Sequence, residues 1–88
     1  MIAINFDSNC GGWHKHREMN HHFITRQMEY FREYLYARGY LYLNTIYESL
    51  GVVWNPDNEN ICIRLENGLN YELDPTEDNG YLIRINYA

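Results

Sequence analysis

The sequence predicts an α+β fold: one main N-terminal helix and one short helix packed on an antiparallel sheet of three to five strands. Two patterns carry the prediction. Ile24, Met28, Phe31 and Leu35 recur at helical spacing and form one apolar stripe. Beyond residue 60 the period changes to two, in the runs Ile61–Leu65, Leu69–Leu73 and Tyr81–Tyr87. The chain has 88 residues, enough for one small core, so residues 1–88 are read as a single α+β domain.

Taken in order, Ile2, Ile4 and Phe6 alternate with Ala3 and Asn5 and predict a first strand. Asp7 to Gly12 interrupts it with turn-forming residues. The main helix is expected to start near Trp13 or Asn20 and to run to Arg38. Stepping its apolar face backwards from Ile24 gives His21, Arg17 and His14, so an early start would overhang the core. Gly39 suits the helix stop, and Arg38 favours the negative end of the helix dipole.

Tyr40 to Leu43 reads as a brief extended link. Asn44 or Thr45 is expected to cap a second helix, with Glu48 completing a capping box and Gly51 ending it. Ile46, Tyr47 and Leu50 would face inward. Val52-Val53-Trp54 reads as a short strand closed by Asn55-Pro56-Asp57-Asn58. A three-residue loop at Glu66-Asn67-Gly68 would pair Leu65 with Leu69, Ile63 with Tyr71 and Ile61 with Leu73, with Gly68 left-handed. The next loop would pair Leu73 with Tyr81, Tyr71 with Ile83 and Leu69 with Ile85. On the outer face, Arg64, Asn70 and Arg84 would share one row, with Glu72 diagonal to both arginines.

Charge narrows the function. Residues 1–44 carry five Lys/Arg against four Asp/Glu, net +1; residues 45–88 carry two against eight, net −6. Phosphate binding needs clustered cations, which the second half lacks, and this argues against direct nucleic-acid binding. An acidic half suits a basic protein partner. Nine tyrosines are more than so small a core can bury, and exposed tyrosine is enriched at interfaces. No signal peptide or membrane-length apolar run is visible, and Cys10 and Cys62 read as free thiols, so the expected location is cytoplasmic.

Arg38-Gly39-Tyr40, Leu43-Asn44, Tyr47-Glu48, Leu50-Gly51 and the following Trp54 resemble a motif of short proteins encoded by phages and mobile elements, mostly of Gram-positive bacteria. The similarity spans roughly a fifth of the chain. It departs after Gly51, where those proteins usually carry a longer Pro-containing insert before the tryptophan. The resemblance implies a mobile-element context and transfers no catalytic residue. The matched positions also have structural readings, as helix stops, a cap and packing residues.

Three other chemistries have residues of the right type in this chain. Cys10, His14, His16, His21 and His22 are zinc-ligand types, with Cys10, His14, His21 and His22 the metal candidates, but no two histidines stand at helical i,i+3 or i,i+4 spacing. Asn9-Cys10-Gly11-Gly12-Trp13 resembles the cysteine neighbourhood of papain-like enzymes, with His14 or His21 as base, in a chain far too short for that fold. Lys15, Arg17, Arg26, Arg32 and Arg38 interleave with Trp13, Tyr30, Tyr34 and Tyr36 as nucleic-acid binders do, but Glu18, Glu29 and Glu33 lie among them.

The sequence therefore points to a non-enzymatic, acidic protein-binding module without a cofactor, an inhibitor of a host nucleic-acid-handling defence protein such as a CRISPR effector. Trp13, Tyr30 and Tyr34 are the expected anchors, with Asp57, Glu59, Asp74, Glu77 and Asp78 meeting a basic groove. A second copy of the chain is a further partner candidate. The alternative is a His-rich metal-binding or nucleic-acid-binding regulator.

Overall fold

The computed structural model describes residues 2–53, 56–59 and 61–86. In chain order the elements are β1 (Ile2–Phe6), α1 (Arg17–Arg38), β2 (Tyr40–Tyr42), α2 (Leu43–Leu50), a 3₁₀ turn (Pro56–Asn58), β3 (Cys62–Arg64), β4 (Asn70–Pro75) and β5 (Tyr81–Asn86). The α+β class holds: two helices pack with a three-stranded antiparallel sheet, ordered β1-β5-β4, and a separate two-stranded sheet of β2 and β3.

The predicted stripe Ile24, Met28, Phe31 and Leu35 is the buried face of α1. It begins one turn earlier, at the fully buried Asn20. From β1 come Ile4 and Phe6, and from β5 Tyr81, Ile83 and Ile85; Leu41, Ile46, Tyr47, Leu50 and Ile63 complete the same core. Transfer of one such aliphatic side chain out of water contributes about 1.5–3 kcal/mol.

Several local expectations change. Helix α1 opens at Arg17, after His16, so Trp13 and His14 precede it rather than extend it. Asn20 holds the lead-in by accepting the His14 backbone N–H at 2.6 Å. Helix α2 opens directly after Tyr42, which caps it without a side-chain bond; Asn44 and Thr45 lie inside the helix, and Asn44 is buried. The strand β2 leaves no spare residue for a polar cap. Gly39 and Gly51 end their helices in the left-handed conformation, as expected. Val52 and Val53 form no strand, and Trp54, Asn55 and Tyr87 lie outside the described residues.

The largest correction concerns β3. It pairs with β2, as Tyr40 with Arg64, Leu41 with Ile63 and Tyr42 with Cys62, and not with β4. After Arg64 the chain makes a helix-like turn, in which the N–H groups of Asn67 and Gly68 both donate to the Arg64 carbonyl, at 3.0 and 3.2 Å. Gly68 is left-handed, as its position suggested. The turn lifts Leu65 out of the sheet, leaving it 43% exposed, and delivers Leu69 into the core. Alternation identifies the buried face of a strand but not its neighbour.

Between β4 and β5 the faces are as expected and the register is not. Leu73 opposes Ile83, Tyr71 opposes Ile85 and Pro75 opposes Tyr81, two residues from the predicted alignment. A slip of two preserves the inner face; what sets it is the loop, closed by the Thr76 N–H donating to the Gly80 carbonyl at 3.1 Å. Glu72 consequently stands directly opposite Arg84, and Arg64 belongs to the other sheet.

Candidate protein-docking surface

The acidic and aromatic residues singled out from sequence lie on separate elements. Tyr30 and Tyr34 are on α1, with ring centroids 6.3 Å apart. Tyr30 is 56% exposed, whereas Tyr34 is half-buried beneath Arg38, whose guanidinium sits 4.7 Å from the ring centroid. Trp13 packs against the core and is half-buried; its indole Nε1 is buried with no hydrogen-bond partner among the described residues. Asp57 and Glu59 are exposed around the 3₁₀ turn, and Glu77 and Asp78 are exposed on the β4–β5 loop.

Asp74 and Asp78 have local work. Asp74 is half-buried and gripped by Arg84, which reaches it through Nε at 2.7 Å and Nη2 at 3.3 Å while also meeting Glu72 at 2.6 Å. Asp78 accepts from the Thr76 hydroxyl at 2.6 Å and the Gly80 N–H at 3.1 Å. These bonds, the hydroxyl first, hold its carboxyl below the ordinary carboxylate range.

Among the described residues no three His, Cys, Asp or Glu side chains are grouped to hold a metal ion. His14 stacks on His16 at 5.2 Å between ring centroids, and His21 leans on the Tyr81 ring at 5.8 Å. His14, His21 and His22 are exposed, and Cys10 is buried. The Cys10 thiol points to the Asn5 carbonyl at 3.5 Å, and burial pushes its pKa up. An activated nucleophilic thiolate needs the opposite environment.

The structure exposes aromatic surface beyond the expected anchors Trp13, Tyr30 and Tyr34. Tyr36, at the end of α1, is 79% exposed. Tyr40 and Tyr42 project from the outer face of the two-stranded sheet, because Leu41 between them points into the core. They are 40% and 49% exposed, and their rings meet edge to face at 5.7 Å. The signal was the Tyr-Leu-Tyr alternation directly after a helix stop, a strand pattern too short to stand out alone. No helix of the described residues is long and apolar enough to cross a membrane. Comparison with protein-family models, with curated proteins and with solved structures finds no match, so a functional reading rests on these side chains.

Proposed function

We propose that this chain is a non-enzymatic protein-binding module that docks on a basic protein surface, of the kind a nucleic-acid-handling protein presents, and inhibits it. The observation that supports the reading is the exposure of Tyr30, Tyr36, Tyr40 and Tyr42 on helix and strand rather than on loops. Tyrosine on a rigid element offers a large contact area at low entropic cost, and such residues anchor interfaces. The formal charge of −5 supplies attraction to a cationic partner and repulsion from phosphate. The Arg38–Gly51 resemblance contributes the context of a phage or mobile element; a host defence protein, such as a CRISPR effector, is the basic partner proposed from that context together with the acidic charge and the tyrosines.

The test is capture from a bacterial host lysate at two salt concentrations, followed by purification of the captured protein and a titration of its nucleic-acid binding. A stoichiometric partner, released at high salt and blocked from its nucleic acid by this chain, is the expected result. Absence of a protein partner, with co-purifying nucleic acid or stoichiometric zinc on the same sample, would sink the reading.

A further inference from the structure

Among the described residues, three tyrosines already carry an arginine over the ring. Arg17 lies 5.9 Å from the Tyr81 centroid, Arg32 5.1 Å from that of Tyr71, and Arg38 4.7 Å from that of Tyr34. Among the described residues, Tyr40 and Tyr42 carry none, although they form an outward-facing ring pair. Strand β3 of the ladder beneath them is flanked in sequence by two exposed glutamates. Exposed Glu66 follows Leu65, whose N–H donates to the Gly39 carbonyl beside Tyr40 at 3.1 Å. Exposed Glu59 lies two positions before Ile61 in sequence, and the Ile61 carbonyl accepts the Leu43 N–H beside Tyr42 at 3.0 Å.

We infer that the Tyr40–Tyr42 face is where the partner docks, and that its occupant is an arginine-bearing protein segment. The inference rests on the protein-binding reading above and names its surface and partner chemistry. A guanidinium stacks on an aromatic face and can still donate in its plane to a carboxylate. Here the rings supply the faces, and Glu59 and Glu66 flank β3 in the sequence. Lysine, a compact and strongly hydrated charge, uses the carboxylates but gains less from the rings. Arg64, opposite Tyr40, repels a cationic occupant and lowers its affinity.

The experiment is fluorescence anisotropy with labelled nona-arginine, nona-lysine and oligothymidine, at low and high salt. Wild-type protein should bind nona-arginine several-fold more tightly than nona-lysine. The double variant Tyr40→Ala/Tyr42→Ala should weaken nona-arginine binding about tenfold and erase the preference. Tyr40→Phe/Tyr42→Phe, which keeps the rings, should retain both, and Arg64→Glu should tighten binding a few-fold. Circular dichroism melts check folding, and the two single alanine variants carry the test where the double variant melts early.

Nona-arginine binding that ignores both tyrosines overturns the inference. So does oligothymidine binding that exceeds peptide binding and depends on them, which would assign the face to bases instead. Capture of the same inhibited host protein by wild type and double variant alike would also overturn it, while leaving the protein-binding reading intact. Tyrosine-dependent arginine binding without any captured host protein would support the inferred chemistry and count against the inhibitor.

Discussion

Asn20 donates from Nδ2 to the backbone carbonyl of Asn79 at 2.9 Å, joining the first turn of α1 to the β4–β5 loop across 59 positions of sequence. The same Nδ2 donates to the His14 carbonyl at 2.6 Å, and Oδ1 accepts the His14 N–H. Asn79 returns the link by donating from Nδ2 to the Lys15 carbonyl at 3.2 Å, and Arg17 donates to the Thr76 carbonyl. One fully buried amide thereby fastens the lead-in, the helix and the loop. Asn20→Leu leaves those backbone groups without their partner. Each such group costs about 1–3 kcal/mol, so a loss of about 3 kcal/mol is expected by urea unfolding. Asn20→Asp keeps the acceptor and loses both donated bonds, and should fare no better.

Two glycines should respond differently to alanine. At Gly80 a Cβ would fall 2.1 Å from the Phe6 carbonyl oxygen, a backbone atom of the neighbouring strand. At Gly39 a Cβ meets open space, and the obstacle is the φ of +84°. Gly39→Ala should therefore cost about 1 kcal/mol, the usual penalty for a left-handed alanine. Gly80→Ala must push β1 away from β5 and should cost several times as much in thermal melts.

The Arg84 network and the core beneath it also make a contrast. Arg84 holds Asp74 and Glu72 on the solvent side of the sheet, whereas Ile83, one residue earlier, is fully buried. Exposed ion pairs contribute about 0.2–1 kcal/mol and are screened by salt. Arg84→Met should cost no more than about 1 kcal/mol, shrinking in concentrated salt. Ile83→Ala should cost about 2–5 kcal/mol at any ionic strength.

Acid should loosen the β4–β5 loop through Asp78. Its folded pKa lies below the unfolded value, so its contribution is present above the ordinary carboxylate range and is lost as pH falls through the folded pKa. Amide exchange at Gly80, whose N–H Asp78 accepts, should accelerate relative to the core in that acid window once intrinsic exchange rates are divided out. Asp78→Asn should reduce this pH-dependent change.

The sequence alone determined the parts that periodicity and backbone chemistry dictate. Helical spacing marked Ile24, Met28, Phe31 and Leu35 as inward, alternation marked Ile63, Ile83 and Ile85, and glycines at 39, 51 and 68 fell where the backbone turns left-handed. These are local properties, legible because a period of 3.6 or 2 places side chains on one face whatever else the chain does. On the candidate surface, the excess of tyrosine and the acidic second half were equally legible, because both are compositional.

Tertiary structure decided which strand lies beside which, and hence which tyrosines are open. The Ile61–Leu65 run carries an inward residue, Ile63, that fits either neighbour; the helix-like turn after Arg64 and the extended Tyr40-Leu41-Tyr42 gave it to β2. That pairing turned Tyr40 and Tyr42 outward as a pair, while Trp13 and Tyr34, the sequence-based anchors, were drawn against the core and under Arg38. The burial of Asn20 is not legible in sequence, because an amide on an apolar stripe reads as solvent-facing until the groups it satisfies, at positions 14 and 79, are brought to it. A side chain's periodicity is written locally, but its partners are supplied by distant parts of the chain.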